Sequence, residues 1–157
     1  MIIGIVAVDK NGAIGKGGRL PWHYSADMKF FRETTTGNAC VMGHRTWLTL
    51  GKPLKDRLNI VLSRQSEIDL HDSFIPLRDA RHVLALNKYL EGDLFIIGGA
   101  RIYETFVPYI EKWIVTEVPL AVEGADAFMP MDYLDGFKNV GSRKLDEELV
   151  VKFYERE

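Results

Sequence analysis

Short apolar runs separated by polar turns set the rhythm of this chain. Ile2 to Val8 is β-branched and apolar until Asp9-Lys10-Asn11-Gly12 interrupts it, which predicts a buried strand ending in a turn. Ala39-Cys40-Val41-Met42, Asn59 to Leu62, Leu94-Phe95-Ile96-Ile97 and Lys112 to Val118 read the same way, and Ser73 to Pro76 predicts a brief strand. Helical spacing lies between them. Tyr24, Asp27, Met28 and Phe31 fall at i, i+3, i+4 and i+7, so they share one helix face, with Ser25 as the expected N-cap. A second helix starts after Gly43 and ends at Gly51-Lys52-Pro53-Leu54, followed by a loop over 54–57. A third covers Asp79 to Tyr89 with Asp79 as its cap, and a fourth runs from Gly98-Gly99-Ala100 through Val107, where Pro108 stops it. The tail, 137–143 and 149–155 around the polar turn 144–148, predicts an antiparallel hairpin. Strands alternating with helices predict a largely parallel sheet covered on both faces, with the hairpin as an antiparallel edge.

Two stretches break the pattern. The loop over 11–18 holds glycines at 12, 15, 17 and 18, without the spacing of a dinucleotide fingerprint and without a helix directly after it. It is either a mobile lid or a plain surface loop. Asp27 is an acid set in an apolar stripe, and no cation stands at a position that would answer it. Either a ligand is its partner, or it is an acid in a first helical turn, favoured by the helix dipole.

Composition narrows the field. A chain of 157 residues, 46% hydrophobic and 27% charged, suits one domain with a sizeable core. A net charge of −2 without a basic run argues against nucleic acid. No apolar run approaches a membrane span, and the apolar start lacks the basic flank of a signal peptide. The single Cys40 excludes an internal disulfide and, inside an apolar strand, reads as a small core residue. A cytoplasmic protein is expected. His23, His44, His71 and His82 show no metal-ligand spacing with Cys40 or each other, so no metal is expected. Trp47 and Trp113 read as packing aromatics, whereas Trp22 follows Pro21 at a loop-to-helix corner beside Asp27.

In an open α/β sheet, ligands bind at the carboxyl ends of strands. The junctions there are Ala7-Val8-Asp9, Gly43-His44-Arg45-Thr46, Ser63-Arg64 and Gly98-Gly99-Ala100. Two carry arginine, whose planar donors suit phosphate, and one carries paired glycines that permit close backbone approach. Thr46 can instead serve simply as a helix cap. Together the junctions favour an extended phosphorylated cofactor.

These residues carry a resemblance over essentially the full length. Ile14-Gly15, Leu20-Pro21-Trp22, Asp27 with Phe31, Val41-Met42-Gly43-His44-Arg45-Thr46-Trp47, Gly51-Lys52-Pro53-Leu54, Arg57 to Arg64, Ile97-Gly98-Gly99-Ala100-Arg101-Ile102-Tyr103, Thr116 and Glu123-Gly124-Ala125-Asp126 resemble dihydrofolate reductase in order and spacing. The resemblance implies a single α/β domain over 1–157, with a mostly parallel sheet of about eight strands, an antiparallel C-terminal hairpin and about four flanking helices. It implies NADPH-dependent reduction of 7,8-dihydrofolate to tetrahydrofolate, antifolates as further small-molecule partners, and a monomer.

The resemblance also assigns roles. Asp27 pairs with N3 and the 2-amino group of the pterin, Thr116 holds the carboxylate, and Trp22 orders a water that enters past Leu20. Ile5 and Ala7 touch the pterin. Met28, Phe31, Leu50 and Leu54 wall the benzoyl ring. Arg57 forks the glutamate α-carboxylate, while Arg32 and Lys52 steer the outer one. Ala7, Ile14, Gly15 and Leu20 border the cofactor under the lid. Gly43, His44, Arg45, Thr46, Leu62, Ser63 and Arg64 border it on one side, and Ile97, Gly98, Gly99, Ala100, Arg101, Ile102 and Tyr103 on the other.

Two positions depart from the family pattern. His44 stands where Arg or Lys commonly follows the glycine, so Ser63 and Arg64 are expected to carry more of the 2′-phosphate, while Arg45 and Thr46 meet the pyrophosphate. Ala100 follows the glycine pair where a third glycine would otherwise stand. Three rival readings are a reductase of riboflavin precursors, a nucleotide- or folate-binding module without turnover, and a structural interaction protein. Asp27 beside Trp22, together with Arg57, argues for folate over a ribityl substrate. The carboxylate and the lid argue for turnover.

Overall fold

The computed structural model describes residues 1–64 and 73–157, so His71 lies outside the described residues. Strands β1 (Ile2–Val8), β3 (Ala39–Gly43), β4 (Leu58–Leu62), β5 (Ile75–Leu77), β6 (Leu94–Gly98), β7 (Lys112–Glu117), β9 (Phe137–Lys144) and β10 (Val150–Arg156) form one eight-stranded sheet. Its order is β5-β4-β3-β6-β1-β7-β10-β9. Every pairing from β5 to β7 is parallel, and the closing hairpin adds the antiparallel edge. The helices are α1 (Ser25–Thr35), α2 (His44–Leu50), α3 (Ala80–Asn87) and α4 (Ala100–Phe106), the last continued by a 3-10 turn over Val107–Tyr109.

Alternation along the strands sorts the core into two layers. Ile3, Ile5, Cys40, Met42, Phe95, Ile114 and Val151 pack on one face with Phe30 and Phe31 of α1 and Trp47 of α2. Ile2, Val6, Val41, Ile96, Trp113 and Val115 pack on the other with Val83 of α3 and Tyr103 and Phe106 of α4. Trp113 is fully buried, and its ring lies where a Cβ on Gly4 would stand, 2.4 Å away. That approach explains the glycine in the middle of β1. Trp47 stacks at a tilt on Phe74, with centroids 4.7 Å apart. Cys40 is buried in the core, where burial pushes its thiol up to about 12, so it stays a neutral thiol.

Several local expectations shift. Ser25 is the first residue of α1, not its cap. Tyr24 holds the cap position in extended backbone and makes no side-chain bond. The free N–H of Ala26 donates instead to Oε1 of Glu147, 3.1 Å away, from the turn between β9 and β10. A carboxylate there also complements the helix dipole. Thr46 makes no cap bond, and Gly43 stands at the cap of α2. α3 is capped by Asp79, as its spacing predicts, with Oδ1 accepting from Arg81 N at 2.8 Å, but it closes at Asn87, short of Tyr89. β5 begins at Ile75 rather than Ser73. The glycine-rich loop is partly ordered as a strand: β2 (Ala13–Gly15) pairs antiparallel with β8 (Ala127–Phe128) in a small second sheet.

Candidate active site

The face of the sheet under α1 gathers the first group. In the β1–β7 ladder, Ile5 lies opposite Ile114 and Ala7 opposite Thr116. Period-two alternation therefore turns Ile5, Ala7 and Thr116 toward the layer that holds α1. Asp27, in the first turn of α1, is half-buried there and hydrogen-bonded to the Thr116 hydroxyl. Burial raises its carboxyl above the ordinary value, and the Thr116 bond offsets only part of that. Among the described residues no cation lies within salt-bridge reach of Asp27. Among the described residues, the buried indole Nε1 of Trp22, three residues before α1, has no hydrogen-bond partner. The Ile5 carbonyl accepts from the Tyr103 hydroxyl at 2.7 Å. Burial raises that phenol well above its usual range, so it remains a neutral donor, and Ile5 keeps a second lone pair.

The outer wall is built on Arg57. Its Nε donates to the Lys55 carbonyl at 2.9 Å and its Nη1 to Thr35 Oγ1 at 3.1 Å, and the guanidinium lies 5.9 Å from the Phe31 ring centroid. Thr35 is fully buried and donates in turn to the Phe31 carbonyl. Asn59 clamps the 54–57 loop: Oδ1 accepts from Leu54 N, and Nδ2 donates to the carbonyls of Leu54 and Arg57. Thr35 and Asn59 escaped the sequence reading. Asn59 carried a signal, a polar side chain inside an otherwise apolar strand, whereas Thr35, in the polar run Arg32 to Thr36, carried none. Phe31 and Leu54 are half-buried; Met28, Leu50, Arg32 and Lys52 are exposed around them.

The second group lies at the carboxyl ends of β3, β4 and β6. Gly98 has φ of +109°, and a Cβ there would stand 2.9 Å from the Tyr103 ring, so only glycine fits. A Cβ on Gly43 would meet Ile102 at 3.2 Å, and one on Gly99 would come within 3.9 Å of Thr46 Oγ1. The two glycine junctions thus face each other, with Thr46 and Ile102 between them. Ala100 opens α4, with Gly99 at its cap position. Ser63 is buried at the end of β4, beside half-buried Leu62 and exposed Arg64. His44 and Ile97 are half-buried; Arg101 is exposed on α4.

The glycine-rich loop over 11–18 packs against the second group at Arg45. Lys16 and Arg19 bridge across Gly17 and Gly18, whose φ angles of +62° and +81° give the left-handed tip of a tight hairpin. Gly17 N donates to Asp126 Oδ2 at 3.0 Å, Asp126 N donates to Gly15 O at 3.1 Å, and Lys16 Nζ donates to Glu123 O at 2.9 Å. On its other side the Arg45 guanidinium packs against Gly18, 2.6 Å from where a Cβ would stand. Ile14 and Gly15 are buried in β2, while Leu20 is 58% exposed at the far end of the loop. At the root, Asp9, one of the strand-end junctions, is saturated by protein. Its Oδ1 accepts from Asn11 N and Ala13 N, and its Oδ2 from Val122 N, each at 2.8 Å. Burial pushes that carboxyl up, but the three backbone donors outweigh it and hold it below the ordinary value.

The geometry agrees with what comparison finds. The family model described as dihydrofolate reductase matches residues 1–155. A dihydrofolate reductase of Staphylococcus haemolyticus is 37% identical over 142 residues, covering 89% of this chain and 82% of that protein. One of Haemophilus influenzae is 37% identical over 127 residues, covering 80% and 76%. Among solved structures, dihydrofolate reductase from Enterococcus faecalis in complex with NADP(H) and RAB-propyl superposes with a TM-score of 0.91 at 30% identity, covering 99% of this chain and 96% of that one. With its half-buried aspartate, its facing glycine junctions and its clasped glycine-rich loop, the chain belongs to the dihydrofolate reductase family.

Proposed function

We propose that Asp27 recognises the pterin edge in the reaction of this enzyme, the NADPH-dependent reduction of 7,8-dihydrofolate to 5,6,7,8-tetrahydrofolate. The observation that carries the assignment is a half-buried carboxylate with one hydroxyl partner and, among the described residues, no protein cation. N3 and the 2-amino group of a pterin supply the missing donors. Pairing there leaves Asp27 on the far side of the ring from N5, so it acts by stabilising the protonated pterin. A water entering past exposed Leu20, held by Trp22 Nε1, delivers the proton to N5. Thr116 fixes the carboxylate's orientation, and Ile5 and Ala7 border the ring.

When bound, NADPH supplies the hydride, from nicotinamide C4 to pterin C6. The facing junctions at Gly43 and Gly99, where side chains would fill the gap, support a cofactor lying across the strand ends, as does the NADP(H) bound by the Enterococcus faecalis relative. Ser63 and Arg64, helped by His44, hold the 2′-phosphate; Thr46 and Arg45 meet the pyrophosphate. Leu62, Ile97, Gly98, Ala100, Arg101, Ile102 and Tyr103 line its path. The lid, through Ile14, Gly15 and Leu20, closes over the nicotinamide and excludes water. Arg57 holds the α-carboxylate of the glutamate tail, Arg32 and Lys52 steer the outer one, and Met28, Phe31, Leu50 and Leu54 wall the benzoyl ring. The chain works as one domain over 1–157, as a cytoplasmic monomer. Loss of NADPH absorbance on adding dihydrofolate tests this reading; absence of turnover would refute it.

A further inference from the structure

Beyond the residues assigned to ligands, one buried carboxylate touches both halves of the closing machinery. We infer that Asp9 is a positioning residue for hydride transfer: by bonding Asn11 N and Ala13 N through one oxygen and Val122 N through the other, it sets the lid root against the segment that follows β7.

What it joins decides what it does. Asp9 follows β1 directly, two residues after Ala7. Its Oδ1 holds the turn that launches β2, a turn also closed by Asp9 N to Ala13 O and Gly12 N to Asp9 O. β2 carries Ile14 and Gly15, the lid residues assigned to the nicotinamide. Its Oδ2 holds Val122, between Thr116 on β7 and Ala127 on β8, the strand that pairs with β2. Around that level the two segments also share backbone bonds from Lys10 N to Leu120 O, Val118 N to Val8 O and Met129 N to Gly12 O, but Asp9 supplies the side chain that holds both at once. Asp126 clasps the tip of the same lid, but Asp126 is exposed, whereas Asp9 is 5% exposed. The tip clasp opens with the lid, and the root clasp stays as its pivot. Reacting centres must meet within tenths of an ångström, so a pivot that drifts misaligns cofactor and pterin without altering the substrate's contacts at Arg57.

The inference rests on the cofactor placement proposed above, and wild-type turnover with NADPH and dihydrofolate checks that placement separately. The decisive variant is Asp9→Asn. The amide oxygen can keep the Asn11 and Ala13 bonds, but the amide nitrogen then faces the Val122 N–H, donor against donor. Single-turnover hydride transfer from the preformed ternary complex should slow by about tenfold, with KM for dihydrofolate changed by less than about twofold. Asp9→Ala, if it folds, should slow it further. Exchange of the Ile14 and Gly15 amides should quicken in Asp9→Asn while those of β1 stay protected. An Asp9→Asn enzyme that transfers hydride at the wild-type rate overturns the proposal. So does one whose loss lies in KM for dihydrofolate, as a general loosening would produce. Absence of turnover in the wild type would instead remove the functional reading on which both stand.

Discussion

Asp9 and Asp27 are two acids drawn partly or wholly out of water, and they end up with opposite chemistry. For both, burial is the largest influence and pushes the carboxyl upward. Asp9 meets three backbone N–H groups at 2.8 Å, and they reverse the shift. Asp27 meets one hydroxyl, and the shift stays upward. Three backbone donors outweigh burial at Asp9, and one hydroxyl does not at Asp27. An acid whose lone pairs are filled by the chain belongs to the architecture. An acid left short of donors on an apolar face is held ready for something else.

The contrast breaks most sharply at Asp27. Asp27→Asn should cut the hydride-transfer rate at neutral pH by about 10²-fold or more, with the loss shrinking in acid where substrate arrives protonated. Stopped-flow NADPH absorbance across pH reads this, and a full rate at neutral pH would refute the role. Arg57 extends the same logic to a cation, since Lys55 and Thr35 fill only part of its donor set. Arg57→Ala should raise KM for dihydrofolate by about 10²-fold, the loss of a paired charge-assisted contact. Thr35→Val, which only loosens Arg57, should raise it by about fivefold with kcat unchanged.

Stability should separate the two acids by sign. Asp9→Asn should cost about 2 kcal/mol near pH 7, from a lost charge-assisted bond and two facing donors. With a folded value below the ordinary one, the Asp9 contribution is present above the ordinary carboxylate range and fades as pH falls through the lowered value. Asp27 runs the other way. Its ionisation costs the empty enzyme stability above its raised value, and that cost disappears below the ordinary one. Asp27→Asn should therefore stabilise the apo-enzyme near neutral pH, by less than Asp9→Asn destabilises it. Urea unfolding at several pH values checks both signs. The smallest effect is expected at His44: His44→Gln should lower the preference for NADPH over NADH by about threefold, read from a titration with both nucleotides. An unchanged preference would count against His44.

Much of this was legible in the sequence where the signal was periodic. The apolar runs identify the strands, but that Ile5, Ala7 and Thr116 share one face is set by the β1–β7 register, and in the sequence these three were implied by the family resemblance alone. The 3.6-residue spacing sets Asp27 beside Met28 and Phe31. Signals carried by partners distant in sequence were silent. The cap of α1 comes from Glu147, 121 positions away, so a local rule chose Ser25. Thr35 positions Arg57 across 22 positions, and Asn59 clamps a loop from within a strand. β2 and β8, three and two residues long, are too short for periodicity to register. Asp9 read as a turn residue at a ligand-facing strand end because sequence does not tell which donors will fill a carboxylate.

The most direct test is a carbon NMR titration of the Asp27 side-chain carboxyl, in the empty enzyme and with a cationic pterin analogue bound. The account predicts a value above that of an ordinary aspartate in the empty enzyme and a clear fall on binding, as the heterocycle supplies donors and charge. A value at or below the ordinary one without ligand, or no change on binding, would contradict it.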